Sequence, residues 1–143
     1  MIVDTTYLLP LARIRVRTDL LKMVVEGNVR RRVELGDIKV SAISLFELQA
    51  KASRLGIPPE YVVDAVSAVL DAFTVIPYYR EDVVKMAHEL NKRLNDYIDS
   101  VILATAVAQR EPLVTEDGLV HALRETIRGE YGIEVLRYDD LVK

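Results

Sequence analysis

Residues 96–108 read DYIDSVILATAVA, and the fold turns on how this run is taken. Wound at 3.6 residues per turn it is apolar on nearly every side, which marks a helix enclosed by protein. It is too short for a membrane span, which needs roughly 20 apolar residues. Asp96 is its natural N-cap. Asp99 is the anomaly. It shares a face with Ile102, Leu103 and Ala106, at i+3, i+4 and i+7. A bare carboxylate does not enter a protein interior without something to compensate its lost hydration.

Working outward, short apolar runs alternate with helical patterns. Ile2-Val3, Ile38–Ala42, Thr74–Ile76, Pro112–Thr115 and Ile133–Leu136 are strand candidates. Thr5 or Thr6 is expected to cap a helical Tyr7–Ile14, interrupted by Pro10. A mixed-charge segment from Thr18 to about Glu34, carrying Arg30-Arg31-Arg32, reads as helix and is broken at Gly36-Asp37. Ser44 is expected to open a helix with Leu45, Leu48, Ala52 and Leu55 on one face, closed by Gly56. Pro58-Pro59 starts another, with Val62, Val66, Val69 and Phe73 in helical register. Glu81–Leu94 repeats the pattern through Val83, Ala87, Leu90 and Leu94, and Gly118–Arg128 gives the last helix. Strands that are apolar runs, alternating with helices, predict a parallel sheet covered on both faces. The expectation is one α/β domain over 1–143, a three-layer α/β/α fold with a mostly parallel sheet.

Composition narrows the chemistry. The chain has 143 residues, half of them apolar, and a net charge of −3. With no cysteine, disulfides, thiolate catalysis and Cys-type zinc sites are excluded. His88 and His121 stand far apart on amphipathic helices and read as surface or boundary residues. The opening MIVDTTYLL has no basic leader or small-residue cleavage site, so a cytoplasmic protein with no membrane partner is expected.

In an open parallel sheet, ligands bind outside the carboxyl ends of the strands. Asp4 closes the first strand and Asp117 follows the fourth. Glu47 lies in the first turn expected after the second strand, and Asp99 near the start of its helix. Four carboxylates can meet there, and so gathered they cannot all stay ionised unaided. A hard divalent cation, Mg²⁺ or Mn²⁺, resolves the conflict. Each acid also has a structural explanation. Ser44-Leu45-Phe46-Glu47 matches a capping box, Glu47 can pair with Lys51, and Asp117 before Gly118 suits a turn or N-cap.

At these residues the chain resembles the PIN-domain family of metal-dependent ribonucleases, over almost its whole length. The resemblance rests on Ile2-Val3-Asp4-Thr5-Thr6, on Val40–Leu48 with its early Glu47, on Ile98-Asp99-Ser100 before an alanine-rich helix, and on Leu113-Val114-Thr115-Glu116-Asp117. Ser100 stands where Ala is usual, and Gly118-Leu119 replaces a frequent aromatic ending. In size the chain resembles the VapC-type toxins of type II toxin–antitoxin pairs. That implies a homodimeric, Mg²⁺- or Mn²⁺-dependent endoribonuclease that cleaves RNA and is silenced by a small antitoxin protein. It also implies Asp4, Glu47, Asp99 and Asp117 as metal-binding and catalytic residues.

An acidic site for a polyanion calls for flanking cations, and Arg13, Arg15, Arg17, Arg30–Arg32, Lys51 and Arg54 are candidates, although a charge run is usually a solvated face. Three other classes compete. A catalytically inactive PIN-like module would bind RNA or protein with the same acids. A phosphoacceptor receiver domain would need an Asp closing a central strand, which Ile38-Lys39-Val40 and Thr74-Val75-Ile76 lack. A dinucleotide-binding domain would need a glycine-rich turn after the first strand.

Overall fold

Five short strands, β1 (Ile2–Val3), β2 (Lys39–Ser41), β3 (Thr74–Ile76), β4 (Leu113–Val114) and β5 (Val135–Leu136), pair in the order β3-β2-β1-β4-β5. All the pairings are parallel, so the sheet is wholly parallel rather than mostly so. This is a computed structural model, and it describes residues 1–143. The strands are apolar runs because both faces are covered. Val3, Val114 and Leu136 pack into one core cluster, while their neighbours Ile2, Leu113 and Val135 pack into the other. Successive side chains of a strand point to opposite faces, and here each face finds a hydrophobic layer.

The first layer holds a 3-10 helix (Thr5–Ala12), α1 (Leu20–Val25) and α3 (Pro59–Ala72), with Leu48 of α2 (Ala42–Arg54). Pro10 has no N–H for an α-helical bond, so the expected Tyr7–Ile14 helix is a 3-10 helix, ended by Arg13 in the left-handed region at φ 61°. Asp4, not Thr5 or Thr6, caps it.

The expected Thr18–Glu34 helix is a second correction. Only α1 forms, because Gly27 turns left-handed at φ 71° and the chain leaves the helix. The following residues lie against the C-terminal segment instead. Val29 bridges Val142, Arg30 Nε donates to the Val142 carbonyl at 3.0 Å, and Arg31 makes a two-pronged pair with Glu134 at 3.0 and 3.1 Å. Two of the three arginines of that cluster therefore serve the fold.

α2 starts earlier than its sequence suggests. Ser41 is the cap, its hydroxyl accepting the Ile43 N–H at 3.2 Å, so Ser44 lies inside the helix and the Ser44–Glu47 capping box does not form. The far end closes as expected. Gly56, at φ 69°, lets the Ile57 amide reach the Ala52 carbonyl and its own amide reach Ser53. Leu55 sits past the last turn and is exposed.

The second layer holds the helical pair α4 (Glu81–Leu94) and α5 (Tyr97–Gln109), with α6 (Gly118–Ala122) and α7 (Arg124–Tyr131). The last two were expected as one helix and are separated at Leu123. A short α8 (Tyr138–Leu141), unannounced by the sequence, ends the chain. Every residue of α5 from Ser100 to Ala106 is buried, as its uniform apolarity predicts. Truncating Leu103 to Ala there should cost about 2–5 kcal/mol. No helix is long and apolar enough to cross a membrane.

The strand order fixes the site. From β1 the chain builds outward through β2 to β3, then returns to the other side of β1 for β4 and β5. The crevice between the carboxyl ends of β1 and β4 is the switch point at which such sheets bind ligands. Asp4 leaves β1 there, and Thr115-Glu116-Asp117 leaves β4.

Candidate active site

Asp4 sits where β1 gives way to the 3-10 helix, its amide still bonded to the Val114 carbonyl at 3.0 Å. Its two carboxylate oxygens are held separately. Oδ1 accepts the Thr5 N–H at 2.6 Å, and Oδ2 accepts the Thr115 hydroxyl at 2.7 Å. The same hydroxyl accepts the Asp117 N–H at 3.1 Å. Thr115 thus joins the ends of β1 and β4 and fixes both acids relative to each other. Asp117 Oδ2 accepts the Val120 N–H at 2.9 Å and caps α6, so the N-cap assignment holds. One cap bond leaves its other oxygen without a protein donor.

Asp99 reaches the same place from the opposite layer. Asp96 is the N-cap of α5, accepting the Asp99 N–H at 3.1 Å, and this sets Asp99 in the first turn. Glu47 lies on the turn of α2 after buried Ser44. It makes no ion pair with Lys51, and with the capping box gone it has no structural bond to satisfy. None of Asp4, Glu47, Asp99 or Asp117 pairs with a Lys, Arg or His.

The charges nevertheless act on one another. Burial raises the Asp4 carboxyl above its ordinary pKa. The Thr115 and Thr5 hydrogen bonds lower it in part, and the charges of Glu47 and Asp117 raise it further. Asp99 is pushed up to about 7, first by burial, then by Asp96, Asp117, Asp4 and Glu47. A carboxyl in the first helical turn should gain from the helix dipole. Here that gain is overwhelmed. The sequence question therefore has its answer: no group of the protein compensates Asp99.

The donor set suits a hard cation, being oxygen only, multiply anionic and free of nitrogen or sulfur. As the side chains stand, no three carboxylates close around one point. Mg²⁺ keeps several waters and takes only one or two carboxylates directly, so the donor types suit it without three of them closing together. Two buried hydroxyls beside the acids, Thr5 Oγ1 and Ser44 Oγ, have no protein partner, which suits a site with a hydration shell to order.

Of the flanking cations, Arg17 lies 4.0 Å from Asp139, and Arg13 stacks 3.9 Å above the Tyr61 ring. Lys51, Arg54 and Arg15 carry no carboxylate partner. Lys51 stands one turn beyond Glu47 on the same face of α2.

His121 was misread from sequence. It is buried, and its Nε2 lies 2.6 Å from the Thr115 carbonyl. A carbonyl only accepts, so Nε2 carries the proton and fixes the residue that joins Asp4 to Asp117. Its place at i+4 from the α6 cap, next to buried Val120, was the available signal.

A family model described as "PIN domain" matches residues 1–125. Comparison with proteins of curated function finds no match. Among solved structures, the chain is similar to one from a toxin–antitoxin complex of Klebsiella pneumoniae, 21% identical with a TM-score of 0.58, covering 92% of this chain and 93% of that one. It is similar to a chain of VapBC-5 from Mycobacterium tuberculosis, a member of the VapBC family of toxin–antitoxin systems. There the identity is 19%, the TM-score 0.60, and the coverage 95% and 96%. FitAcB from Neisseria gonorrhoeae gives 18% identity, a TM-score of 0.64 and 96% coverage of both chains. At these identities the likeness establishes the fold.

Proposed function

Because this chain belongs to the PIN domain family, we propose that it is a metal-dependent endoribonuclease, the toxin of a type II toxin–antitoxin pair. One observation carries the reading. Asp4, Glu47, Asp99 and Asp117 bring four carboxylates to the sheet's switch point with no protein cation among them, and Asp99 is held at a pKa of about 7. Structural acids are normally paired or exposed; these are neither.

Asp4 and Asp99 would be the principal holders of Mg²⁺ or Mn²⁺, with Glu47 and Asp117 completing the anionic wall. A divalent cation there would supply positive charge to a phosphoryl oxygen and make water acidic near neutral pH. The chain's own part is to position and to discriminate. The Thr115 hydroxyl and Thr5 amide keep Asp4 in one orientation, so its charge is not lost to rotation. Asp99, its pKa raised to about 7, would change charge with the arrival or departure of a cation beside it. Lys51, Arg54, Arg13 and Arg15 offer contacts to the phosphates of a polyanion that the acids alone would repel. VapBC-5 and the Klebsiella complex are toxin–antitoxin assemblies, which supports an antitoxin partner for this chain. Exposed Val63 and Leu70, one helical face of α3, support a homodimer.

The test is cleavage of a mixed RNA pool by the purified chain, with Mg²⁺ or Mn²⁺ and with chelator. Metal-dependent internal cleavage that disappears in Asp4→Asn is expected. A wild-type protein that binds the RNA but cleaves none under any metal condition would instead be a binding module.

A further inference from the structure

Between Thr115 and Asp117 stands a fifth acid, Glu116, with hydrogen-bond partners of its own. Its Oε2 accepts two hydrogen bonds, from the Tyr7 hydroxyl at 2.5 Å and from the Tyr138 N–H at 2.9 Å. Each partner leaves a different strand. Tyr7 lies on the 3-10 helix that Asp4 caps, just past β1, and Tyr138 opens α8 just past β5. Glu116 itself follows β4. One carboxylate oxygen thus ties together the exits of three adjacent strands, β1, β4 and β5.

We propose that Glu116 is a positioning residue for the acidic site, acting through the Tyr7–Glu116–Tyr138 bridge to hold Thr115 and Asp117 in register with Asp4. This rests on the metal-site reading above. The backbone on either side of Glu116 carries the two groups that matter. Thr115 must present its hydroxyl to Asp4 Oδ2 at 2.7 Å, and Asp117 must direct its N–H to that hydroxyl. A short exit from a two-residue strand has little ladder of its own to fix such a geometry. The bridge supplies it, together with the His121 contact to the Thr115 carbonyl. Tyr7 is fully buried, and burial, then the neighbouring Glu116, keeps its phenol protonated and donating. Partners that orient metal-binding carboxylates from behind typically change metal affinity or activity 10–100-fold when removed.

Three variants decide it. Tyr7→Phe removes the donor and keeps the ring, Glu116→Ala removes the acceptor, and Glu116→Gln keeps a carbonyl acceptor without the charge. Mn²⁺ affinity by calorimetry, RNA cleavage kinetics and hydrogen exchange at the Asp117 amide are measured on each. Tyr7→Phe and Glu116→Ala are expected to weaken Mn²⁺ binding and kcat about 10-fold or more, with KM for RNA little changed. The Asp117 amide should exchange faster in both, and Glu116→Gln should recover most of each loss. If Glu116→Ala fails to fold, Tyr7→Phe answers the same question. Wild-type Mn²⁺ affinity and amide protection in Tyr7→Phe would overturn the proposal. So would a Glu116→Gln as impaired as Glu116→Ala, since charge rather than hydrogen bonding would then be at work. Asp4→Asn is the control for the site: if it leaves Mn²⁺ binding intact, the metal-site reading fails, while the Asp117 amide exchange still decides the bridge.

Discussion

The two ends of the sheet treat a carboxylate in opposite ways. At the amino end, Glu111 precedes β4 and is partly buried between the Met1 amino group, 2.7 Å from Oε1, and the Lys39 ammonium on Oε2. Burial alone would raise its pKa, but the bonds from Lys39 and the amino group bring it below the ordinary value. At the carboxyl end, a few ångströms of strand away, Asp99 has no cation and rises to about 7. The first arrangement stabilises the fold at neutral pH; the second costs stability. Clustered acids that cost stability are what a ligand-binding site demands. Two ends of one short sheet thus separate a carboxylate that serves the fold from carboxylates that do not, the contrast the proposed site predicts.

The sharpest way to break this comparison is to neutralise each end in turn. Asp4→Asn and Asp99→Asn should each lower single-turnover RNA cleavage roughly 1000-fold or more, on the scale of losing a group that acts on developing charge. Glu111→Gln, the matching change at the amino end, should leave the cleavage rate within about twofold because it touches no part of the site. Equal losses from both ends would erase the distinction.

Glu47→Gln sharpens it next. The change keeps shape and removes charge, so a group that serves the cluster electrostatically should lose about 100-fold in cleavage while the melting temperature holds or rises. The absence of a capping box makes a structural penalty unnecessary. Wild-type cleavage by this variant would leave a three-acid site.

Much of this was legible in the sequence, and the parts that were not have a common cause. The parallel sheet, the buried α5, the Gly56 stop and the acids at strand and helix ends follow from periodicity and cap chemistry, which are local. What failed to read were competitions settled by distant partners. Ser41 took the cap that Ser44 matched equally well, because β2 ends there. Thr18–Glu34 has helical composition, yet Val29, Arg30 and Arg31 gain more from Val142 and Glu134, more than a hundred positions away. His121 looks like any amphipathic-helix histidine until the Thr115 carbonyl stands in front of it. The acids were visible as types and order, and Thr115 beside them as a hydroxyl able to bond a carboxylate; the His121 contact behind it was not.

A smaller effect concerns stability against pH. Asp99 binds its proton more tightly folded than unfolded, so without metal the native state holds more protons between about pH 4 and 7. Stability therefore falls as pH rises through that window and levels off above it. Asp99→Asn should melt a few degrees above wild type at pH 8, with the gap closing as pH drops toward 4. Glu111 has a lowered pKa, so its contribution has the opposite sign: present above the unfolded value and lost as pH falls through the folded one. In thermal scans across pH, Glu111→Gln should then lose a few degrees at pH 7 and very little at pH 3. Parallel profiles for the two variants would contradict the assignment.

The most direct measurement is the titration of the Asp99 carboxyl carbon by NMR, without divalent metal and with saturating Mg²⁺. An uncompensated carboxylate facing Asp4, Glu47 and Asp117 should titrate near 7 alone, and Mg²⁺ should bring its midpoint well below 5, since a cation at that spot favours the charged form. A midpoint near 4 in both conditions, or one near 7 that Mg²⁺ leaves unmoved, would contradict a cluster that awaits a cation.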